Sequence, residues 1–158
     1  MPAGAQLLLL DTTVLVYAKG ADHPLRQPSR DLIQAIAEQR IDATTTPEVI
    51  QEFVHVRARR RGREEAAAIG RDYAELLSPL VSVDSTHLER GLALFSSLED
   101  PGAFDSVLAA VALETGARLV SADEAFKKVR GLHFSILNRD GIEALLRSGD
   151  PGDGNGDD

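Results

Sequence analysis

The sequence predicts a single α/β domain: a parallel five-stranded sheet covered by helices on both faces. Three observations carry that expectation. Short apolar runs alternate along the chain with longer stretches of helical spacing. The first run, Leu7 to Leu10, is aliphatic at every position, which suits a strand buried on both faces. Helix-start and helix-stop signals separate the runs, notably Thr46-Pro47-Glu48, Ser85 and Gly116. A length of 158 residues suits one domain and is enough to bury a core without disulfides or a structural metal.

The elements follow in order. Residues 6–11 read as the first strand, ending in an acid, with a short helix over 13–18. His23-Pro24 and Gln27-Pro28 mark a loop. Leu32, Ile33, Ile36 and Ala37 then recur at helical spacing, predicting a helix over 29–39. Residues 41–45 are a second strand. Thr46 is an N-cap, Pro47 sits at the first helical position and Glu48 in the first turn, so a helix begins there and ends near Gly62. A further helix runs over 63–77, closed by Ser78-Pro79. Residues 80–83 read as a third strand, and Ser85 as the cap of a helix reaching 98. Glu99-Asp100-Pro101-Gly102 is a turn. An alanine-rich helix over 104–115 is closed by Gly116. Residues 118–121 are a fourth strand, followed by Asp123 and a short helix carrying Phe126. Residues 133–137 are the fifth strand and 140–147 the last helix.

Residues 1–148 therefore form the expected folded unit. The tail over 149–158 reads GDPGDGNGDD, has no apolar surface to bury and is expected to be disordered. It also distorts the net charge of −8: its four acids leave 21 against 17 bases in the body, so a polyanionic substrate is not excluded. There is no cysteine, which rules out disulfides and thiolate zinc sites. No apolar run approaches the roughly 20 residues needed to span a bilayer, and nothing basic precedes the first strand as in a signal peptide. A soluble, cytoplasmic protein without membrane attachment is expected.

Four carboxylates point to chemistry. In open α/β sheets, ligands bind beyond the carboxyl ends of strands, near a switch in strand order. Asp11 follows Leu7–Leu10 and Asp123 follows the fourth strand. Asp105 lies near a helix start, where the helix dipole favours a negative group, and Glu52 lies in the first two turns of the helix begun at Thr46. Each alone has an ordinary explanation as a turn former, helix cap or solvated acid. Together, four acids in one cleft cannot all ionise without a cation, and carboxylate oxygens match magnesium or manganese better than zinc.

The segments around these acids resemble the PIN-domain family, and specifically VapC-type toxins of bacterial toxin–antitoxin pairs. LLLLDTTVLVYA is similar to the family's opening strand and its first acid, giving Asp11 with the supporting hydroxyl of Thr12. TTPEVIQEFVHV is similar to the segment whose Glu is the second acid, giving Glu52. FDSVLAAVALETGARLVSAD resembles the Asp-hydrophobic-x-x-Ala-Ala helix that leads into a strand, giving Asp105. VSADEAF resembles the Thr/Ser-x-Asp-x-x-Phe signature, giving Asp123 with Ser121 beside it. The likeness covers about residues 7–146. Thr13 stands where family members often carry Asn or Ser, and Ser106-Val107 where Ala-Leu or Ala-Ile is common. The resemblance implies a PIN-like domain and a Mg2+- or Mn2+-dependent endoribonuclease that leaves 5′-phosphate and 3′-hydroxyl ends. It implies a cognate VapB-like antitoxin and a homodimer. Asp11, Asp105 and Asp123 are expected to hold metal, and Glu52 to complete the set or orient the attacking water. Thr12 and Ser121 are expected to support them by hydrogen bonds.

Arg57, Arg59, Arg60, Arg61 and Arg63 form a basic run near the end of the helix carrying Glu52. They are either a solvated helix end complementing its negative terminus or contacts for RNA phosphates or an acidic antitoxin segment. Asp100 fits a turn better than an accessory acid. The Glu52–His55 pair lacks the second Glu-x-x-His that a di-iron bundle needs, and the four dispersed histidines do not suggest zinc. Leu88, Leu92, Leu94, Phe95 and Leu98 read first as core, with any exposed subset available for a dimer face. Two other functions share some of these features. A haloacid-dehalogenase-type phosphohydrolase also begins with a strand-end Asp, but wants an acid where Thr13 stands and a downstream Lys with no counterpart here. A non-catalytic RNA- or protein-binding module would be marked by a missing site acid, and none is missing.

Overall fold

The computed structural model describes residues 6–149, and the acidic tail beyond that lies outside the described residues. Four strands make one sheet: β1 (Leu8–Leu10), β2 (Ala43–Thr44), β3 (Arg118–Ser121) and β4 (Phe134–Ile136). All pairs are parallel and the order is β2-β1-β3-β4. Leu9 sits opposite Thr44 on one side and Leu119 on the other. The chain builds outward from β1 in one direction to β2, then returns to add β3 and β4 on the other side. The β1–β3 junction is therefore the switch in strand order where an open α/β sheet forms its crevice.

Leu8, Leu9 and Leu10 are all buried, and consecutive strand residues face opposite sides, so helices cover both faces. Among the described residues these helices are α1 (Thr12–Lys19), α2 (Arg26–Ala37), α3 (Pro47–Arg61), α4 (Arg63–Leu76), α5 (Ser85–Ser97), α6 (Ala103–Thr115) and α7 (Arg139–Gly149), with a short 3-10 turn over Glu124–Lys128. The core is aliphatic: Leu9, Leu15, Leu32, Leu77, Leu119, Leu137 and Ile142 surround Phe53 and Phe126. Phe53 packs edge-on against Tyr73, whose hydroxyl donates to the Leu15 carbonyl, tying α3 and α4 to α1.

The sheet has four strands, not five. Residues 80–83 form no strand, although Leu80, Val81 and Val83 pack partly buried against the core. Their apolar pattern reports packing, not pairing. The neighbouring edge strand, β2, is only two residues long and offers little ladder to extend. Pro79 also lacks the N–H that a paired strand would use. What remains is one backbone bond from Val81 N–H to the Thr45 carbonyl, 3.0 Å, and one from the Thr44 hydroxyl to the Pro79 carbonyl, 2.9 Å.

Two helix starts also differ. α2 begins at Arg26 and takes Pro28 into its first turn, where a missing N–H leaves nothing unpaired. α5 is capped by Asp84, not Ser85: the Asp84 carboxylate accepts from the backbone of Thr86 and His87, and the His87 ring accepts from Asp84 N–H. The Thr46 cap is as expected, with its hydroxyl accepting from Val49 N–H at 3.2 Å.

Candidate metal centre at the carboxyl ends of the central strands

Asp11 is the residue immediately after β1. Its N–H still bonds the Val120 carbonyl of β3, which fixes its backbone at the strand-order switch. The side chain is only 4% exposed. Its Oδ2 accepts from Ser121 Oγ at 2.6 Å and from Thr13 Oγ1 at 3.2 Å. These two hydroxyls knit the strand ends together. Ser121 Oγ accepts from Asp123 N–H, and Thr13 Oγ1 accepts from Ala122 N–H, both at 3.0 Å. The loop that carries Asp123 is thus held to Asp11 through two side-chain oxygens.

Glu52 reaches the site from α3, where the Thr46-Pro47 start sets the helix phase. Its Oε2 accepts from Thr12 Oγ1 at 2.9 Å. Asp105 sits in the first turn of α6. That helix lies close against α5: a Cβ on Gly91 would fall 2.6 Å from Val107 Cα, so only glycine permits this approach two residues beyond Asp105. Asp123 is exposed and caps the 3-10 turn, accepting from Ala125 N–H at 2.9 Å.

The electrostatics tie the four acids into one group. Burial pushes the Asp11 carboxyl above its ordinary range. Hydrogen bonds from Ser121, the Thr12 backbone and Thr13 oppose that rise, and Glu52 adds to it. Asp105 is pushed up to about 7, first by burial, then by the negative charges of Asp11, Asp123 and Glu52, and by a hydrogen bond with Asp123. No cationic side chain figures among these influences on either acid. Among the described residues, however, no three His, Asp or Glu side chains close into a ready-made metal cage. The set is electrostatically coupled and geometrically open.

This donor set fits a hard divalent cation. All four groups offer carboxylate oxygen, Asp11 is buried and answered by neutral hydroxyls and the Thr12 backbone N–H, and Asp105 cannot ionise fully at neutral pH without a positive charge nearby. Asp11, Asp105 and Asp123 are the candidates to hold it, with Glu52 at the rim.

Other sequence-predicted residues separate. Thr12 and Ser121 each donate to a site acid. The basic run splits in two. Arg57 is tied down inside the fold, its Nη1 on the Lys19 carbonyl at 2.9 Å and its Nη2 on Glu65 at 2.7 Å. Arg59, Arg60 and Arg61 are exposed at the far end of α3, roughly 10 Å or more along the axis from Glu52. Arg63 lines a groove of about 1010 Å3 beside Glu52. Asp100 pairs with Lys128 at 3.0 Å. Thr13 is the residue that sequence reasoning missed. Its position two residues past a strand-end acid, on the first turn of α1, was the available signal.

Comparisons with known proteins identify the family and the fold. The family model for the PIN domain matches residues 8–132, and the chain belongs to that family. Within it the chain is of the VapC type. It is 54% identical over 145 residues to Ribonuclease VapC7 of Mycobacterium tuberculosis, covering 89% of this chain and 98% of that protein. Among solved structures it resembles VapBC2 from Rickettsia felis, described as bound to a promoter DNA fragment. There the TM-score is 0.65 and the identity 17%, over 82% of this chain and 98% of the other. It also resembles Mycobacterium tuberculosis VapC20, a Sarcin-Ricin loop cleaving toxin, with a TM-score of 0.63 and 15% identity over 76% and 92% of the chains. At such identities these two structures speak for the fold. The family assignment removes the ground for the haloacid-dehalogenase reading.

Proposed function

We propose that this chain is a magnesium- or manganese-dependent endoribonuclease acting as the toxin of a toxin–antitoxin pair. The observation that carries this reading is the coupling of Asp105 to Asp11, Glu52 and Asp123, with no cation among the influences on Asp11 or Asp105, at the strand-order switch of a VapC-type fold. When bound, a divalent ion supplies Lewis-acid polarisation of the phosphodiester and neutralises charge on the departing oxygen. The residues do the rest. Asp11, fixed by Ser121 and Thr13, presents its carboxylate in one orientation. Asp105 and Asp123 complete the negative face. Of the four site acids, Glu52, held by Thr12, borders the larger groove and is placed to orient an attacking water and accept its proton. No nucleophilic side chain is required, and the products carry 5′-phosphate and 3′-hydroxyl ends.

The partners follow from the same reading: an RNA substrate, a VapB-like antitoxin and a second copy of the chain, in the cytoplasm. Among the described residues no helix is long and apolar enough to cross a membrane. Leu88, Leu92 and Phe95 recur on one row of α5 and are all exposed, which supports α5 as the face where two copies meet.

The direct test is incubation of a mixed cellular RNA pool with purified protein in magnesium, in manganese and in chelator, beside Asp11→Asn. Metal-dependent cleavage with 5′-phosphate ends, absent in chelator and in the variant, is the expected result. Folded, antitoxin-free protein that cuts nothing in either metal would remove the ribonuclease reading.

A further inference from the structure

Two grooves flank the first turn of α6, which carries Asp105. On one side is the groove beside Glu52, lined by α3 and α4 through Val54, Ala58, Arg63 and Ala67 and closed by Phe104 at the start of α6. On the other is a smaller groove of about 490 Å3, lined by Asp123, Gly102, Lys127 and Lys128. Glu52 and Phe104 border the first, Asp123 and Gly102 border the second, so the start of α6, with Asp105 next to Phe104, lies between them.

The two sides differ in chemistry. Phe104 is 39% exposed although it adjoins a site acid and packs at the end of an alanine-rich helix that is otherwise largely buried. A ring left in solvent beside a phosphodiester-cleaving centre offers a flat face to a nucleobase. Lys127 and Lys128 are both exposed, and among the described residues they pair with Glu124 at 3.3 Å and Asp100 at 3.0 Å. Surface pairs of this kind are weakly held and exchange readily for a phosphate.

We propose that a single-stranded RNA segment crosses the start of α6, with one base stacked on Phe104 in the larger groove and a backbone phosphate held by Lys127 and Lys128 in the smaller one. The proposal rests on the ribonuclease reading and adds the path of the strand. The scissile phosphate then lies over Asp105, between a stacked base and a neutralised phosphate. A strand fixed on both sides of the bond cannot slide during attack. Unstacked bases are a property of single strands and loops, so the path selects them over duplex.

The test measures binding of a fluorescein-labelled 12-nucleotide RNA of randomised sequence to the full chain in calcium, by anisotropy over a series of salt concentrations, with cleavage of the same RNA in magnesium. Phe104→Ala and Phe104→Leu are expected to weaken binding roughly fivefold or more, with Phe104→Trp near the native protein, because stacking needs a π-face and not merely apolar bulk. Lys127→Ala with Lys128→Ala is expected to raise KM and flatten the dependence of log affinity on log salt by about 0.7 for each phosphate that the variant no longer neutralises. Both sets should melt near the native temperature. Native protein that cuts RNA while Phe104→Leu binds as tightly as Phe104→Trp, or while the lysine variant keeps the native salt slope, overturns the path and leaves the nuclease standing. Variants that bind RNA normally but escape inhibition by a co-expressed antitoxin would assign these grooves to a protein partner and overturn it as well. Native protein that cuts nothing sinks the underlying reading instead.

Discussion

The two ends of the β1–β3 pair are built on opposite principles. At the amino ends, Arg118 is surrounded by acceptors: Nε on Gln6 Oε1 at 3.0 Å, Nη1 on the Phe134 carbonyl at 3.1 Å. Gln6 in turn donates to the Gly116 carbonyl at 3.2 Å. Each of these polar groups has an answer within the fold, and the charge is a single cation among neutral dipoles. At the carboxyl ends, Asp11 and Glu52 lean on hydroxyls, and no cation figures among the influences on Asp11 or Asp105. The same strands, a few residues apart, are closed and satisfied at one end and crowded with like charge at the other. The first end uses its hydrogen bonds for stability; the second holds negative charge that a bound cation would answer.

Removing part of that charge should separate activity from stability. Asp105→Asn is expected to lose RNA cleavage by more than the roughly 10–100-fold that outer-shell changes cost, yet to melt higher than native protein in chelator, because a neutral amide relieves the repulsion. Near-native cleavage by this variant would remove Asp105 from the site. The next effect is smaller. Thr13→Val deletes a hydroxyl bonded to Asp11 and to Ala122 N–H, and is expected to lower metal affinity or cleavage roughly 10–100-fold. Thr13→Ser should restore most of it. A valine variant that titrates magnesium normally would reduce Thr13 to packing.

The satisfied end sharpens the contrast. Arg118→Met is expected to destabilise by about 1–3 kcal/mol, since it strands acceptors that Arg118 now serves. Cleavage per folded molecule should not change. Loss of kcat without loss of stability would show that the two ends communicate.

The smallest effect is a pH signature. Asp105 binds its proton more tightly when folded than when unfolded, so its stabilisation of the metal-free protein is full at low pH and is lost as pH rises through about 7. The melting temperature in chelator should therefore fall between roughly pH 4 and pH 7 by more in native protein than in Asp105→Asn. Asp11, raised by burial, acts in the same direction. Saturating magnesium should abolish the difference, and equal slopes in the two proteins would show that Asp105 is not proton-coupled to folding.

What the sequence made legible differs from residue to residue. Asp11 and Asp123 were legible as candidates because an acid within two residues of the end of a buried strand has few places to go. Glu52 and Asp105 were legible because Thr46-Pro47 and the turn before α6 fix where each helix begins. Residues 80–83 misled because apolar alternation reports burial, whereas a strand also needs a partner with free backbone groups, and the two residues of β2 supply almost none. Thr13 went unrecognised because its role depends on Ser121 and Ala122, more than a hundred positions away. The basic run was legible as charge but not as geometry. Arg57 turns inward to bind the Lys19 carbonyl and Glu65, which no spacing of arginines reveals.

The failed fifth strand has a consequence for association. Sheet edges are where unrelated chains most readily add themselves, because each unpaired N–H and carbonyl is a template for another strand. In this protein one edge is two residues long and is shielded by the segment after Pro79, and the other edge, β4, is three residues long. Among the described residues, neither offers much open backbone to recruit a neighbour. Association through the folded body is thereby left to side chains on its helices, under the control of sequence rather than of the backbone that every protein shares.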